Sequence, residues 1–210
     1  MRRPDPRHRL GLLLIDVNNS FFDPHGPFYY PAVAEVVAPL RALLAAARDG
    51  GRLLVHAREG HRPGLSDDEF VKLPEHSYSG DWDALPFPGF EERAGEVLVE
   101  KRRFSAFFGT DLALMLHEQD TRRLLIAGVK TNVCIRANVT DAFGYGFRPT
   151  IALGTVNSNR PHLHEASLED IQRYIGELVP LETAIDWLRR SAPEDELRPF
   201  SAAGTTHDRA

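Results

Sequence analysis

Three reactive side chains, a carboxylate, an ammonium and a thiol, each come at the end of an apolar run of strand length. Asp16 ends the first run, Lys101 follows the third, and Cys134, the only cysteine of the chain, lies in the turn after the fourth. Taken singly, such residues are more often a turn residue, a solvated charge and a small buried hydrophobe. Because the carboxyl ends of parallel strands meet at one edge of a sheet, their coincidence predicts a nucleophilic site there.

The chemistry of these groups assigns a role to each. Cys134 is the expected nucleophile, since a thiolate attacks carbonyl carbon and the helix start after its strand should lower the pKa of the thiol. Lys101 is expected to stabilise the thiolate, and Asp16 to accept the thiol proton and later return it to a leaving nitrogen. The backbone N–H groups of Lys130 and Cys134, in the tight turn that opens the helix, are the expected oxyanion donors.

The composition limits the classes of protein to which the chain can belong. With 210 residues, 42% of them hydrophobic and 26% charged, it predicts one globular domain over residues 1–190 and a disordered tail over residues 191–210. The formal net charge of -5 gives no basic surface for nucleic acid. The first apolar run is too short for a membrane span or an export signal, and a single cysteine is typical of the cytoplasm, where we expect the protein.

Apolar runs of strand length alternate with segments of helical period along the chain. This alternation predicts an α/β fold: a doubly wound, mostly parallel six-stranded sheet with helices on both faces, which is a Rossmann-like three-layer sandwich. The connection 57–95 is long and rich in Gly, Pro, Asp and Ser, and we expect it to be a lid or binding loop. The predicted strands are 10–15, 52–56, 96–100, 123–127, 148–153 and 177–179, and the predicted helices are 31–49, 110–118, 131–145, 167–176 and 181–190.

Three blocks of sequence around the reactive residues resemble those of the isochorismatase-like cysteine hydrolase superfamily. They are Leu14–Phe21 around the carboxylate, Lys101–Phe107 at the ammonium, and Gly128–Cys134 at the thiol. Their order along the chain carries the resemblance more strongly than any single block. The resemblance extends over residues 10–188, and it implies an isochorismatase-like fold.

The resemblance also implies which residues act. It makes Asp16, Lys101 and Cys134 a catalytic triad, and it implies a cis peptide bond between Val129 and Lys130. Asn18 stands where many members of the family carry Gln, so that the hydrogen bond of the longer amide is in question. We further expect a homo-oligomer, either a dimer or a tetramer.

Members of this family differ in the bond that they cleave. Those that cleave a vinyl ether do not need the cysteine, so the presence of Cys134 favours C–N hydrolysis. The segments 58–63 and 159–162 resemble the branch that hydrolyses N-carbamoylsarcosine, ureidoacrylate or biuret. This likeness implies a small amide or ureide substrate, a thioester acyl-enzyme, release of ammonia or an amine, and no cofactor.

Two other functions remain open. Nicotinamidases carry a metal motif near the position of Glu59 and His61, and His56 and His76 could assist, so a metal-assisted nicotinamidase-like amidase is the first alternative. Such residues are, however, more often hydrogen-bonding groups of a loop than metal ligands. The second alternative is a catalytically silent member of the fold that binds a ligand.

Further side chains near the triad are expected to contact the substrate. Aromatic residues are dense there and could line a small-molecule pocket, or belong to the core or to a subunit interface. An arginine there could bind a substrate carboxylate or form a surface ion pair. The predicted substrate contacts are Asn18, Phe22, Arg58, Phe104 and Phe107.

Overall fold

The computed structural model describes residues 4–190 and Leu197, and in it strands and helices alternate. The strands are β1 (Leu10–Ile15), β2 (Leu53–Glu59), β3 (Val97–Lys101), β4 (Arg123–Val129), β5 (Arg148–Ala152), β6 (Val156–Asn157) and β7 (Glu177–Val179). The α-helices are α1 (Asn19–Phe22), α2 (Ala34–Asp49), α3 (Leu112–Glu118), α4 (Arg136–Gly144), α5 (Pro161–Asp170) and α6 (Leu181–Arg190). One π-helical turn leads into α4 and another follows α5.

The strands form a parallel sheet in the order β3-β2-β1-β4-β5-β7, and the short β6 pairs with the end of β4. The chain runs outward from β1 to β3 and then returns to place β4 on the other side of β1. The strand order therefore reverses between β1 and β4, where open α/β sheets bind their ligands. The register pairs Ile15 with Gly128 and Glu59 with Lys101, so the carboxyl ends of these four strands lie at one edge.

Helices cover both faces of the sheet because its central strands are apolar on both sides. Every residue of β1 and of β4 is buried. One face packs against α2 and α6 through residues such as Leu40 and Trp187, and the other against α3 and α4 through Leu112 and Val139. This arrangement confirms the predicted three-layer α/β sandwich.

Three strands differ from their predictions by two residues or more, and one of them is β4, which ends at Val129 instead of at residue 127. β2 continues beyond His56 to Glu59, because backbone pairing of Arg58 with Glu100 and of Glu59 with Lys101 extends it past the apolar run. The long connection therefore begins after Glu59. A seventh, two-residue strand, β6, accompanies the six that the sequence predicts, and it is too short to show a hydrophobic period.

Two predicted helices also differ from their predictions, and α1 is a helix that the sequence does not predict. The helix expected at 167–176 begins at Pro161, which occupies its first turn, and passes into a π-helical turn at Ile171. The helix expected at 131–145 is divided into a π-helical turn and α4. Among the described residues, none of the helices is long and apolar enough to cross a membrane. The expected disordered tail lies outside the described residues except for Leu197, which is buried against the core.

The backbones of β1 and β4 approach each other closely at the edge where the reactive residues lie. Gly128 has a φ of 121°, and a Cβ added there would lie 2.0 Å from the carbonyl oxygen of Ile15, so only glycine fits. Asp16 follows with a φ of 53°, in the left-handed region that a residue with a side chain adopts at an energetic cost. Such strain is characteristic of functional sites.

Candidate active site

Four buried polar side chains meet beyond the carboxyl ends of β1 to β4. Asp16 follows β1, Glu59 ends β2, Lys101 ends β3, and Cys134 lies in the π-helical turn after β4. Asp16 and Lys101 have no exposed surface, and Glu59 and Cys134 are also buried. The structure thus brings together the three residues that the sequence predicts, and it adds Glu59, which the sequence suggests only as a metal ligand.

Lys101 occupies the centre of this group. Its Nζ lies 2.9 Å from Oδ2 of Asp16, 3.4 Å from Oε1 of Glu59 and 3.8 Å from Sγ of Cys134. Burial alone would lower the pKa of Lys101, but the charges of Asp16, Cys134 and Glu59 outweigh it and raise that pKa above its ordinary value. Lys101 is therefore held as a buried ammonium ion.

Asp16 has the properties of a general base. Burial raises the pKa of Asp16 to about 6, an effect that the charge of Lys101 opposes and that of Glu59 reinforces. The backbone N–H of Glu59 donates a hydrogen bond of 3.0 Å to Oδ1 and fixes the carboxylate. A carboxylate oxygen of Asp16 lies within 4.8 Å of Sγ of Cys134. A pKa near the working pH suits a group that must both accept and return a proton.

The pKa of the Cys134 thiol is raised, whereas the helix start and Lys101 predict a lowered one. Burial raises the pKa of Cys134 well above its ordinary value; Lys101 lowers it, whereas the carboxylates of Asp16 and Glu59 raise it further. Lys101 thus acts in the predicted direction. Burial and the two negative charges outweigh the combined effect of Lys101 and the helix start on this pKa. A thiol with a raised pKa needs a base to activate it.

The segment that leads to Cys134 has an unusual backbone. The peptide bond between Val129 and Lys130 is cis, as the resemblance implies, and the π-helical turn begins at the next residue. The carbonyl of Lys130 accepts hydrogen bonds from the backbone N–H groups of Val133, at 3.0 Å, and of Ile135, at 3.2 Å. These two residues flank Cys134 in the chain. Such π-helical turns are rare and often mark functional sites.

Asn138 of α4 connects the lysine segment to the nucleophile segment. It is fully buried; its Oδ1 accepts a hydrogen bond from the backbone N–H of Ala106 at 2.9 Å. Its Nδ2 donates to the carbonyl oxygens of Cys134, at 2.8 Å, and of Phe104, at 3.1 Å. Sequence reasoning misses Asn138 because an isolated Asn within a helix belongs to no motif.

A cavity of about 620 Å³ opens above this group, and Cys134 and Glu59 lie in its wall. Phe104, one of the predicted substrate contacts, lines the cavity. Among the other residues of the wall are two aromatic rings and several polar side chains: Phe21, Phe28, His76, Lys130, Asn132 and Arg136. The volume suits a small molecule whose reactive carbonyl reaches the sulfur.

The other predicted substrate contacts lie away from this wall. Phe22 and Phe107 are buried in the two halves of the hydrophobic core, one on each face of the sheet. Arg58 forms an ion pair with Glu92. Asn18 is fully buried before α1, and neither polar atom of its side chain has a hydrogen-bond partner among the described residues. The sequence places these side chains near the strand ends but does not reveal which way they point.

A second polar cluster lies in the connection after β2. One side-chain nitrogen or oxygen from each of His61, Glu69 and His76 lies within 4.8 Å of the others. Nδ1 of His61 lies 3.0 Å from Oδ2 of Asp67, and Nδ1 of His76 lies 2.7 Å from the carbonyl oxygen of Pro74. Contacts of this kind at Nδ1 orient the Nε2 atoms of histidines that bind metals.

This cluster fits a divalent transition metal. Nε2 of His61 and Oε1 of Glu69 are buried without a hydrogen-bond partner in the described part of the chain. Burial, reinforced by Glu59, raises the pKa of Glu69 to about 7. Two imidazoles and one carboxylate form a common ligand set for zinc and similar ions. His61 therefore groups with Glu69 and His76 in this cluster. Glu59, the other residue that the sequence suggests as a ligand, contacts Lys101, and its Oε2 lies 3.2 Å from Nε2 of His76.

Comparisons with known proteins agree with this fold. A maleamate amidohydrolase from Pseudomonas putida is 36% identical over 86% of this chain and 87% of its own length. An N-carbamoylsarcosine amidase from Arthrobacter sp. is 28% identical over 89% of this chain and 74% of its own. The crystal structure of a nicotinamidase from Bacillus subtilis superimposes with a TM-score of 0.75 and 26% identity, over 81% of this chain and 99% of that one.

The isochorismatase domain model matches residues 11–183. The chain therefore belongs to the isochorismatase family. Together with relatives that are named amidohydrolases, this membership makes it a hydrolase that acts on C–N bonds.

Proposed function

We propose that the protein hydrolyses the C–N bond of a small amide or ureide through a thioester on Cys134. The observation that carries this proposal is the group formed by Cys134, Lys101 and Asp16, with Nζ of Lys101 3.8 Å from the sulfur and 2.9 Å from the carboxylate. A nucleophile, a fixed positive charge and a base with a raised pKa, beside a cavity of small-molecule size, are what acyl transfer requires.

The reaction begins with proton transfer from the thiol of Cys134 to the carboxylate of Asp16. The sulfur attacks the carbonyl carbon of the substrate, and the carbonyl oxygen becomes an oxyanion. The backbone N–H groups of Lys130 and Cys134 donate hydrogen bonds to this oxyanion. When the C–N bond breaks, Asp16 returns its proton to the leaving nitrogen, and ammonia or an amine departs from the thioester.

Water completes the cycle. Asp16, again a carboxylate, takes a proton from water as the water oxygen attacks the thioester carbonyl. The acid product leaves, and the sulfur recovers a proton from Asp16, so that one water is consumed for each C–N bond broken. Lys101 keeps its positive charge throughout, and this charge stabilises the sulfur when it is negative. Oε1 of Glu59 lies 3.4 Å from Nζ of Lys101, and the charge of Glu59 adds to the raised pKa of Asp16.

The relatives support a small amide or ureide as the substrate. One is named for maleamate, which is an amide, and another for N-carbamoylsarcosine, which is a ureide. Both compounds are small enough for a cavity of about 620 Å³. We expect the protein to act in the cytoplasm and as a homo-oligomer, as the sequence predicts.

The direct test is ammonia release from a panel of maleamate, N-carbamoylsarcosine, biuret and nicotinamide, with acid quenching and mass spectrometry of the protein. We expect turnover of at least one amide or ureide and an acyl adduct on the peptide that contains Cys134. Turnover without any adduct in burst and steady-state samples, and undiminished by alkylation of Cys134, would contradict the thioester. Binding of these compounds without turnover would favour the catalytically silent alternative.

The cluster of His61, Glu69 and His76 favours a second candidate, a metal-assisted amidase of the nicotinamidase type. A divalent ion held there would polarise a ligand in the cavity. His76 lines the cavity and lies 3.2 Å from Glu59, so this cluster adjoins the triad. Elemental analysis of the purified protein, compared with His61→Ala and with the nearby surface variant Lys72→Met, tests it. A stoichiometric ion lost only in His61→Ala would support this candidate, and equal content in all three proteins would oppose it.

A further inference from the structure

Lys130 presents an ammonium group held between aromatic rings at the cavity wall. Its Nζ lies 5.6 Å from the ring centre of Phe21, 5.5 Å from that of Phe28 and 5.4 Å from that of Tyr30. The rings are themselves fixed: those of Phe21 and Phe28 stack, and the hydroxyl of Tyr30 donates a 2.6 Å hydrogen bond to Oδ1 of Asn157. The position of the positive charge is therefore set before any ligand binds.

Among residues 4–190, no carboxylate pairs with this ammonium. Within the described part of the chain, no hydrogen bond or ion pair engages Nζ of Lys130, although the side chain is partly buried. Three other cations in or near the cavity wall do have carboxylate partners. Lys101 contacts the carboxylate of Asp16, Arg136 that of Asp170, and Arg103 that of Asp67.

The surroundings of Lys130 favour the arrival of a negative charge. Burial lowers the pKa of Lys130, and the positive charge of Arg160 lowers it further, while Cys134 and Glu59 act in the opposite direction. Desolvation and repulsion of this kind are relieved when an anion binds the ammonium. Because Lys130 and Cys134 line the same cavity, one small molecule can engage both.

We propose that the ammonium of Lys130 binds a carboxylate of the substrate while the sulfur of Cys134 attacks an amide carbonyl of the same molecule. This inference rests on the proposed function and narrows it: the substrates are amides that also carry a carboxylate, and uncharged amides are poor substrates. The side chain of Lys130 thereby determines specificity, in addition to the role of its backbone N–H at the oxyanion.

The test compares maleamate with maleamide, its uncharged diamide, in the wild type and in Lys130→Met. Lys130→Arg keeps the charge, and Lys72→Met removes a lysine from an exposed position as the matched control. Loss of a charge-assisted hydrogen bond should lower the ratio of kcat/KM for maleamate to that for maleamide about 10- to 100-fold in Lys130→Met, mainly through KM. Lys130→Arg should recover part of the ratio, and Lys72→Met should leave it unchanged.

An equal loss of turnover for both compounds in Lys130→Met has a different meaning. If Lys130→Met lowers turnover of maleamate and maleamide by the same factor, the side chain acts on the thiol or the backbone, and the inference is overturned. A wild-type enzyme that turns over maleamide as well as maleamate overturns it too.

Binding separates this inference from the proposed function if the wild type hydrolyses neither compound. Calorimetry then measures the binding of maleamate to Cys134→Ala and to Cys134→Ala with Lys130→Met. Binding that weakens about 10- to 100-fold in the double variant supports Lys130 as the carboxylate site even without turnover. Equal binding by the two variants, or none by Cys134→Ala, contradicts it.

Discussion

The ammonium nitrogen of Lys101 lies 2.9 Å from Oδ2 of Asp16, and neither side chain has any exposed surface. A buried ion pair seldom adds much stability over apolar packing, but removal of one partner leaves an uncompensated charge and is costly. The role of this ion pair is chemical, since it places a proton acceptor and a permanent positive charge beside the sulfur of Cys134.

Replacement of Lys101 by Met should make Cys134 harder to ionise. The charge of Lys101 lowers the pKa of the thiol, so its removal leaves burial and the carboxylates unopposed. We expect the midpoint of the pH dependence of iodoacetamide labelling to move to higher pH, measured at this single cysteine. Because loss of one partner of a buried pair costs about 3–5 kcal/mol, circular dichroism must first show that the variant is folded. With Lys72→Met as the control, an unmoved midpoint in folded Lys101→Met would exclude Lys101 as the stabilising charge.

The pH dependence of turnover should follow the ionisation of Asp16. The carboxylate accepts a proton only when it is ionised, so kcat/KM should fall about tenfold per pH unit as the pH drops below about 6. Glu59 raises this pKa, so Glu59→Gln should shift the acidic limb to lower pH. The pH profile of kcat/KM in the two proteins measures this shift. A limb that moves to higher pH, or does not move, would argue against Asp16 as the base.

Asn138 should matter for both stability and turnover. Asn138→Ala removes the acceptor for Ala106 and the donor for Cys134 and Phe104, which leaves buried backbone groups unpaired. We expect urea denaturation to show a loss of about 1–3 kcal/mol. A looser connection between Lys101 and Cys134 should also lower kcat roughly 10- to 100-fold, with a smaller effect on KM.

A control for Asn138 is Thr140→Ala, which removes an exposed hydrogen bond from the same helix. It should change the free energy of unfolding by much less. Equal destabilisation by the two variants, or full kcat in folded Asn138→Ala, would mean that Asn138 does not position the site.

The meeting of Asp16, Lys101 and Cys134 could be predicted from the sequence because each of them follows a recognisable apolar strand. Parallel strands align their carboxyl ends, so the strand pattern alone brings Asp16, Lys101 and Cys134 to one edge. The same reasoning fails for Glu59, because β2 continues for three residues beyond the end of its predicted apolar run. The three added residues are held by backbone pairing with β3, and their side chains show no hydrophobic period.

The remaining differences depend on tertiary packing. Phe22 and Phe104 are both aromatic residues close to the predicted strand ends, yet one lies in the core and the other lines the cavity. Composition does not distinguish them, because the direction of a side chain in a connecting segment is set by its neighbours in space. The raised pKa of the Cys134 thiol is a second feature that depends on tertiary packing. It depends on burial and on Glu59, neither of which local sequence reveals.

Removal of metal separates the two candidate functions. The charges that the proposed reaction needs come from Lys101 and from backbone N–H groups, so exhaustive chelation should leave amide hydrolysis unchanged. Glu69→Gln and His61→Ala should then affect KM more than kcat. Loss of turnover on chelation, with recovery when zinc or manganese is returned, would instead favour the metal-assisted amidase.

The central claim is that Cys134 is the nucleophile, and the kcat/KM of Cys134→Ala tests it most directly. The substitution removes one buried sulfur atom, so the fold should persist while turnover falls by several orders of magnitude, about 10⁴-fold or more. Circular dichroism checks the fold, and ammonia release from the best amide or ureide of the panel gives the rate. A folded Cys134→Ala that retained a tenth of the wild-type kcat/KM would contradict the account.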